Sequence, residues 1–167
     1  MHDGAVAERV RAVYESEHPR LWRSLYGFSG SREIADEAAA EAFAQVLRRG
    51  DEVRDVSAWV WRSGFAIARG ELQRRSRERS SSPDTTSAMS SSTHDVGGAD
   101  ASLGAVLDRL QRLSVEDREL LVLCHVGGWR PGELAGVLDV AAGTVRVRLH
   151  RATSRARALL DEEGAGS

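Results

Sequence analysis

Apolar residues recur every three to four positions in one segment after another, and that spacing predicts an all-α protein. Val6, Val10, Val13 and Tyr14 mark a first helical segment from Val6 to Glu17, and Leu21, Trp22, Leu25 and Tyr26 mark another from Arg20 to Phe28. Pro19 fits a first-turn position, so these segments form either one kinked helix or two. Phe28 to Ser31 is a stop, with Ser31 as the N-cap of the next helix, which runs to Arg49. There Ile34, Ala38, Ala42 and Val46, with Phe43 and Leu47, are placed to face a core. Glu33, Asp36, Glu37 and Glu41 fall on other faces. Acids in its first half and Arg48 and Arg49 in its last turn match the helix macrodipole. A polar loop, Gly50 to Val56, leads to a third helix, SAWVWRSGFAIARGELQRRSRER, with Ser57 as its expected cap. Gly64 and Gly70 each cost that helix about 1 kcal/mol against alanine.

The pattern then lapses. Ser80 to Asp100 is rich in Ser, Thr and Gly with almost no apolar content, so it is expected to be a flexible linker. Helical spacing resumes from Ala101 to Leu113, with Leu103, Val106, Leu107 and Leu110 on one side. Ser114 to Asp117 has capping-box character and opens a leucine-rich helix, Glu116 to Val126, which Gly127-Gly128 ends. The expected organisation is two small helical domains, residues 5–79 and 101–160, joined by a linker at 80–100.

The last stretch, PGELAGVLDVAAGTVRVRLHRATSRARALL from Pro131 to Leu160, reads as a helix-turn-helix. Pro131 suits the first helical position, although Arg130 before it is a poor cap. Leu134, Ala135, Val137 and Leu138 give the first helix an inward face. Asp139 to Gly143 breaks the period, with Gly143 expected to make the reversal and Thr144 to cap the second helix. In that helix Val145, Leu149, Ala152, Ala156 and Leu159/Leu160 form a buried stripe, leaving Arg146, Arg148, Arg151, Arg155 and Arg157 on the other faces. An apolar back and an arginine front suit insertion into the DNA major groove. Arginine bonds guanine bidentately and also neutralises phosphate. A merely solvated basic helix is the alternative.

Composition narrows the classes. The chain of 167 residues is 41% hydrophobic and 29% charged, ordinary for a globular protein. Formal net charge is −2, so attraction to nucleic acid must be local. Every basic residue is arginine, a usage suggesting a GC-rich bacterial genome. A single cysteine, Cys124, excludes an intramolecular disulfide, and neither a secretory leader nor a membrane span is visible. A cytoplasmic protein without membrane insertion is expected. Cys124 and His125 are adjacent on a helix and point to different faces, so they are read as packing residues. No phosphate loop, nucleophile constellation or metal-binding spacing is present, and neither enzymatic activity nor a cofactor is expected.

The run GTVRVRLHRA, Gly143 to Ala152, with ELAGVL before it, resembles the promoter-reading end of bacterial extracytoplasmic-function (ECF) sigma factors, compact members of the sigma-70 family. Val147 stands where that family often has serine and Asp139 where it usually has glycine. Further upstream, Ala35 to Phe43 (ADEAAAEAF) is similar to the family's main contact helix for the RNA polymerase clamp, with Ala40 in place of the usual glutamine. Trp59 with Ala58 beside it resembles the start of the helix that reads the melted −10 element. Phe65, Ala66 and Gly70 depart there from arginine, asparagine and aspartate. For Trp59 and Trp61, base stacking and core packing both remain open.

The resemblance implies a transcription initiation factor with three contact sets. Thr144, Arg146, Val147, Arg148, His150, Arg151 and Arg155 would meet the −35 element. Trp59, Arg62, Arg69, Arg74 and Arg75 would meet the −10 element, with Arg77 and Arg79 continuing the basic tail. Asp36, Glu37, Glu41 and Phe43 would meet core RNA polymerase. Promoter DNA, core polymerase and an anti-sigma factor are the implied partners. A linker of about 21 residues spans roughly 25 Å as a coil and about 70 Å extended. Elements about 17 base pairs apart lie roughly 60 Å apart on B-DNA, so the length permits two-point binding. The competing readings are a sigma-like decoy for an anti-sigma factor and a helix-turn-helix regulator.

Overall fold

The computed structural model describes residues 2–81, 100–164 and 166. Among them are seven α-helices and no strand: α1 (His2–Ser29), α2 (Arg32–Arg49), α3 (Val56–Ser81), α4 (Asp100–Leu110), α5 (Val115–His125), α6 (Pro131–Leu138) and α7 (Ala142–Gly164). The expected linker at 80–100 falls almost wholly outside the described residues.

Helices α1 to α3 pack as one bundle. Pro19 lies within a single α1, so the two-helix alternative is discarded. Its N–H is missing from the ladder, but Leu21, Leu25 and Phe28 beyond it are fully buried and hold the helix in line. Gly30, at φ 68°, makes the left-handed exit that glycine takes without a Cβ penalty. Ser31 caps α2, its hydroxyl accepting from the Ile34 N–H at 3.2 Å. The buried face of α2 is Ile34, Ala35, Ala38, Ala39, Ala42, Phe43 and Val46; the alanines let α1 and α3 approach closely. Leu47 does not join them. It is 54% exposed, one position past the stripe.

Two local expectations fail before α3. The Gly50 to Val56 segment is not simply polar: Gly50–Glu52 forms a 3₁₀ turn, and Val53 and Val56 are buried. The cap is Asp55, whose carboxylate accepts from the Ala58 N–H at 3.0 Å. Ser57 instead donates to Glu17 at 2.7 Å. The same Glu17 oxygen accepts from the Trp61 indole at 2.8 Å, which satisfies the one polar atom of a fully buried tryptophan.

Helices α4 to α7 form the second group. Ser114 caps α5 through the Asp117 N–H. Gly128, at φ 73°, turns the chain after α5. Among the described side chains of α4 only Leu107 is buried; Leu103 and Val106 are 45% and 46% exposed, unlike the expected continuous face. Pro131 sits at the start of α6, and the Glu133 carboxylate accepts from the Arg130 N–H at 3.1 Å. That bond replaces part of what the poor cap at Arg130 lacks.

The groups share one apolar core. Leu107, Val122, Leu123, Leu134, Val137 and Val145 are continuous with the buried residues of α1 to α3. A Cβ on Gly27 of α1 would lie 3.8 Å from Val122 of α5, ordinary contact distance. Trp129 meets Trp61 edge-on at 5.5 Å between ring centroids. No helix of the described residues is long and apolar enough to cross a membrane.

Candidate nucleic-acid interface

Helices α6 and α7 meet through a tight turn in which Asp139, at φ 55° and ψ 47°, is the left-handed residue. The reversal is therefore made at Asp139 and not at Gly143, which lies inside α7. Aspartate tolerates this region better than most residues because its short carboxylate bonds locally. Thr144 is also one turn too late to cap. The α7 ladder opens with the Val145 N–H on the Ala141 carbonyl, and Thr144 sits half-buried in the first turn.

The inner face of α7 is as the period predicts. Val145 and Ala152 are buried and Leu149, Ala156 and Leu159 half-buried, while Leu160 is exposed. Val147, Arg146, Arg148, His150, Arg151 and Arg155 are exposed. The arginines are not equivalent. Arg155 reaches both oxygens of the buried Asp117 carboxylate, at 2.8 and 2.7 Å, which ties α7 to α5. Its role in the fold is structural. The three guanidinium groups of Arg146, Arg148 and Arg151 make no hydrogen bond or ion pair among the described residues.

On α3 every expected −10 arginine already has a partner. The Arg62 Nε donates to the Val137 carbonyl at 2.7 Å and its Nη2 to the Gly136 carbonyl at 3.1 Å. Those are last-turn oxygens of α6 with no intrahelical donor, so Arg62 caps α6 from another part of the chain. Arg69 donates to Glu119 of α5 at 3.0 Å. Arg74 lies between Glu71 and Glu78, and Arg75 reaches Glu71 at 3.4 Å and Glu33 at 3.5 Å. Burial pushes the Glu119 carboxyl above its ordinary value; Arg69 opposes that shift and Glu116 reinforces it.

The two tryptophans separate. Trp61 is core. Trp59 is half-buried, with the Arg49 guanidinium 4.8 Å from its ring, and one of its faces is open to a stacking partner only if Arg49 moves. On α2, Asp36 and Glu37 are exposed and Glu41 is half-exposed. Asp36 accepts from the Trp22 indole at 2.6 Å, Glu41 pairs with Arg48 at 2.5 Å, and Glu37 has no partner among the described residues. Phe43 lies beneath this face, buried against Tyr14 at 5.1 Å. It shapes the acidic face from below and is too enclosed to be a direct contact. Cys124 is half-buried, and burial raises its thiol above the ordinary range.

Between α3 and the α5–α7 group runs a cleft of about 610 Å³. Arg62 and Arg69 line one wall and Arg148, Arg151 and Arg155 the other, with Glu116, Asp117 and Glu119 among them. Sequence reasoning missed Glu119 and the α6 carbonyls as partners. The signal for Glu119 was a charged run, Glu116 to Glu119, in a leucine-rich helix, and three of its members are buried. Nothing in the sequence marks a backbone carbonyl.

Residues 103–157 match the family model for sigma-70, region 4, which contains the helix-turn-helix. The chain is also 30% identical, over 96% of its length and 93% of the relative's, to the ECF RNA polymerase sigma factor SigL of Mycobacterium tuberculosis. The chain belongs to the ECF group of sigma-70 family RNA polymerase sigma factors. The sigma factor CarQ of Myxococcus xanthus is 28% identical over 96% of this chain and 93% of its own length. Among solved structures, CnrH in complex with the cytosolic domain of CnrY aligns over 97% of this chain and 99% of its own, with TM-score 0.71 and 21% identity. RpoE of Bartonella quintana, in complex with the anti-sigma factor NepR, covers 90% and 96% with TM-score 0.68 and 18% identity. At those identities the two structures speak for the fold of this sigma factor alone.

Proposed function

We propose that this sigma factor binds core RNA polymerase through the acidic face of α2 and reads a promoter at two points. Residues 5–79 form the polymerase and −10 unit, with Asp36, Glu37 and Glu41 toward the polymerase. Trp59, Arg62, Arg69, Arg74 and Arg75 face the −10 strand. Residues 101–160 form the −35 unit, in which Arg146, Arg148 and Arg151 do most of the reading. Thr144, Val147 and His150 flank them. The observation that carries this reading is the arginine front of α7: three unpartnered guanidinium groups on a helix whose back is held by Val145 and Ala152. Such a helix offers bidentate donors to base edges in the major groove. With a net charge of −2, the free protein binds DNA weakly and gains its grip with polymerase. It makes and breaks no bonds of its own, and it works beside DNA and polymerase in the cytoplasm. An anti-sigma factor is its further partner; the RpoE of Bartonella quintana is found in complex with one, NepR.

The test is run-off transcription with bacterial core RNA polymerase on a genomic library. Defined start sites that need this protein, and that are lost with Glu41→Arg, are the expected result. A well-folded protein that neither binds core polymerase nor directs initiation would instead leave the decoy reading.

A further inference from the structure

Arg62 and Arg69 stand about two turns apart on the same face of α3, and both leave their own bundle to find acceptors. Arg62 is anchored by the two successive carbonyls at the open end of α6. Arg69 is anchored by the Glu119 carboxylate of α5, fifty positions along the chain. Three oxygens, two carrying partial negative charge and one a share of a full charge, therefore meet the two guanidinium groups. That is the donor–acceptor arrangement a nucleic-acid backbone would offer to the same side chains.

We propose that the α6 C-terminus and Glu119 act as an internal phosphate mimic that occupies Arg62 and Arg69 and holds the sigma factor shut until a nucleic-acid strand displaces it. The proposal rests on the −10 role given above to these two arginines. The cleft beside them explains why the closed form is poised to open. It gathers five arginines around three acids, so the cationic side chains are in excess. A polyanion relieves that excess more fully than neutral carbonyls do. Closure also sets the −35 arginines Arg148 and Arg151 on the same cleft as Arg62 and Arg69. Promoter elements roughly 60 Å apart along B-DNA, at about 3.4 Å per base pair, cannot both be reached from one cleft. Opening is a requirement of two-point binding, and the mimic is what must be let go.

The experiment uses the full chain and Glu119→Gln, a residue outside the proposed DNA contacts, with a mixed-sequence single-stranded 20-mer as the probe. A second variant, Gly27→Leu, wedges α1 from α5 where Gly27 faces Val122 and opens the molecule by packing alone. Small-angle scattering reads opening, and fluorescence anisotropy across a salt series reads binding. Both variants are expected to enlarge the radius of gyration. Both should bind the strand several-fold more tightly than the parent, with a salt dependence steeper by about 0.7 per phosphate newly contacted. Should the two variants open while the strand affinity and its salt slope stay at the parent values, the mimic is wrong. Should Glu119→Gln leave both the size and the affinity unchanged while Gly27→Leu changes both, the molecule closes by apolar packing and the latch is overturned. Core polymerase co-elution of the parent protein is run alongside. Its loss would count against the sigma-factor assignment of sites, whereas strand affinity reports on the latch alone.

Discussion

The arginines of α3 and those of α7 were expected to do similar work, and the structure treats them differently. On α7, Arg146, Arg148 and Arg151 stand exposed without partners among the described residues. On α3, Arg62, Arg69, Arg74 and Arg75 are all bonded within the chain. The difference follows from what each helix packs against. Helix α7 lies at the edge of its group and buries only one stripe. Helix α3 is flanked by other helices, and α6, Glu119 of α5 and Glu33 of α2 engage Arg62, Arg69 and Arg75 in turn, while Arg74 is held by Glu71 and Glu78 of α3 itself. On the proposed roles, the duplex-reading surface is ready-made, while the strand-reading surface has to be released. Arginine count alone says nothing of this; availability is decided by neighbours.

The sharpest way to separate folding from reading on α3 is its pair of tryptophans. Trp61→Ala empties a fully buried site and is expected to cost about 3–5 kcal/mol of stability, visible as a collapse of the urea midpoint. Trp59→Ala should cost far less stability and lower −10 strand binding; equal losses would place both tryptophans in the core.

On α7, alanine at Arg146, Arg148 or Arg151 is expected to cost about 1–3 kcal/mol of −35 duplex binding wherever the guanidinium is bidentate to a base. A phosphate contact would instead weaken all sequences alike and lower the salt slope by about one. A triple alanine variant that still footprints the −35 region normally removes the assignment. Arg155 provides the internal control. Asp117→Asn breaks its bidentate pair and should lower stability by roughly 1–2 kcal/mol, given that Arg155 is partly solvated, with little change in −35 sequence preference.

The smallest expected effect is a pH dependence in the α1–α3 bundle. His18 stacks on Tyr14 at 4.4 Å, and burial lowers its pKa below 6.5, with Asp36 opposing. Between the lowered folded value and 6.5 the unfolded chain binds more protons. The contribution is therefore fully present above that range and is lost as pH falls through it. His18→Gln should flatten the urea midpoint between pH 7.5 and 5.5; an unchanged slope assigns the dependence to other groups.

Much of the fold was legible because it rests on local rules. Ser31 and Ser114 cap where their spacing places them, Pro131 opens α6, and the buried stripes of α2 and α7 follow the helical period. The misses have local causes. Asp55 and Ser57 are both competent caps, and burial of Val56 between them sets where α3 begins. Gly143 looked like the turn residue because glycine is the usual left-handed choice, yet Asp139 takes that conformation and α7 starts earlier. Leu47 and Leu103 were counted as core because an apolar residue near a stripe reads as part of it. The contacts of Arg62 and Arg69 were not legible at all. They join residues fifty or more positions apart, and one partner is backbone, which carries no side-chain signature.

The comparison between the two arginine sets is tested most directly by measuring binding of the free protein to a −35 duplex and to a −10 single strand. Each measurement is repeated with core RNA polymerase present. The expected result is weak, salt-sensitive binding to the −35 duplex by the free protein, with −10 strand binding weaker still and appearing fully only with polymerase. Strong −10 strand binding by the free, closed protein would contradict it, because Arg62 and Arg69 would then be available while still bonded to α6 and Glu119.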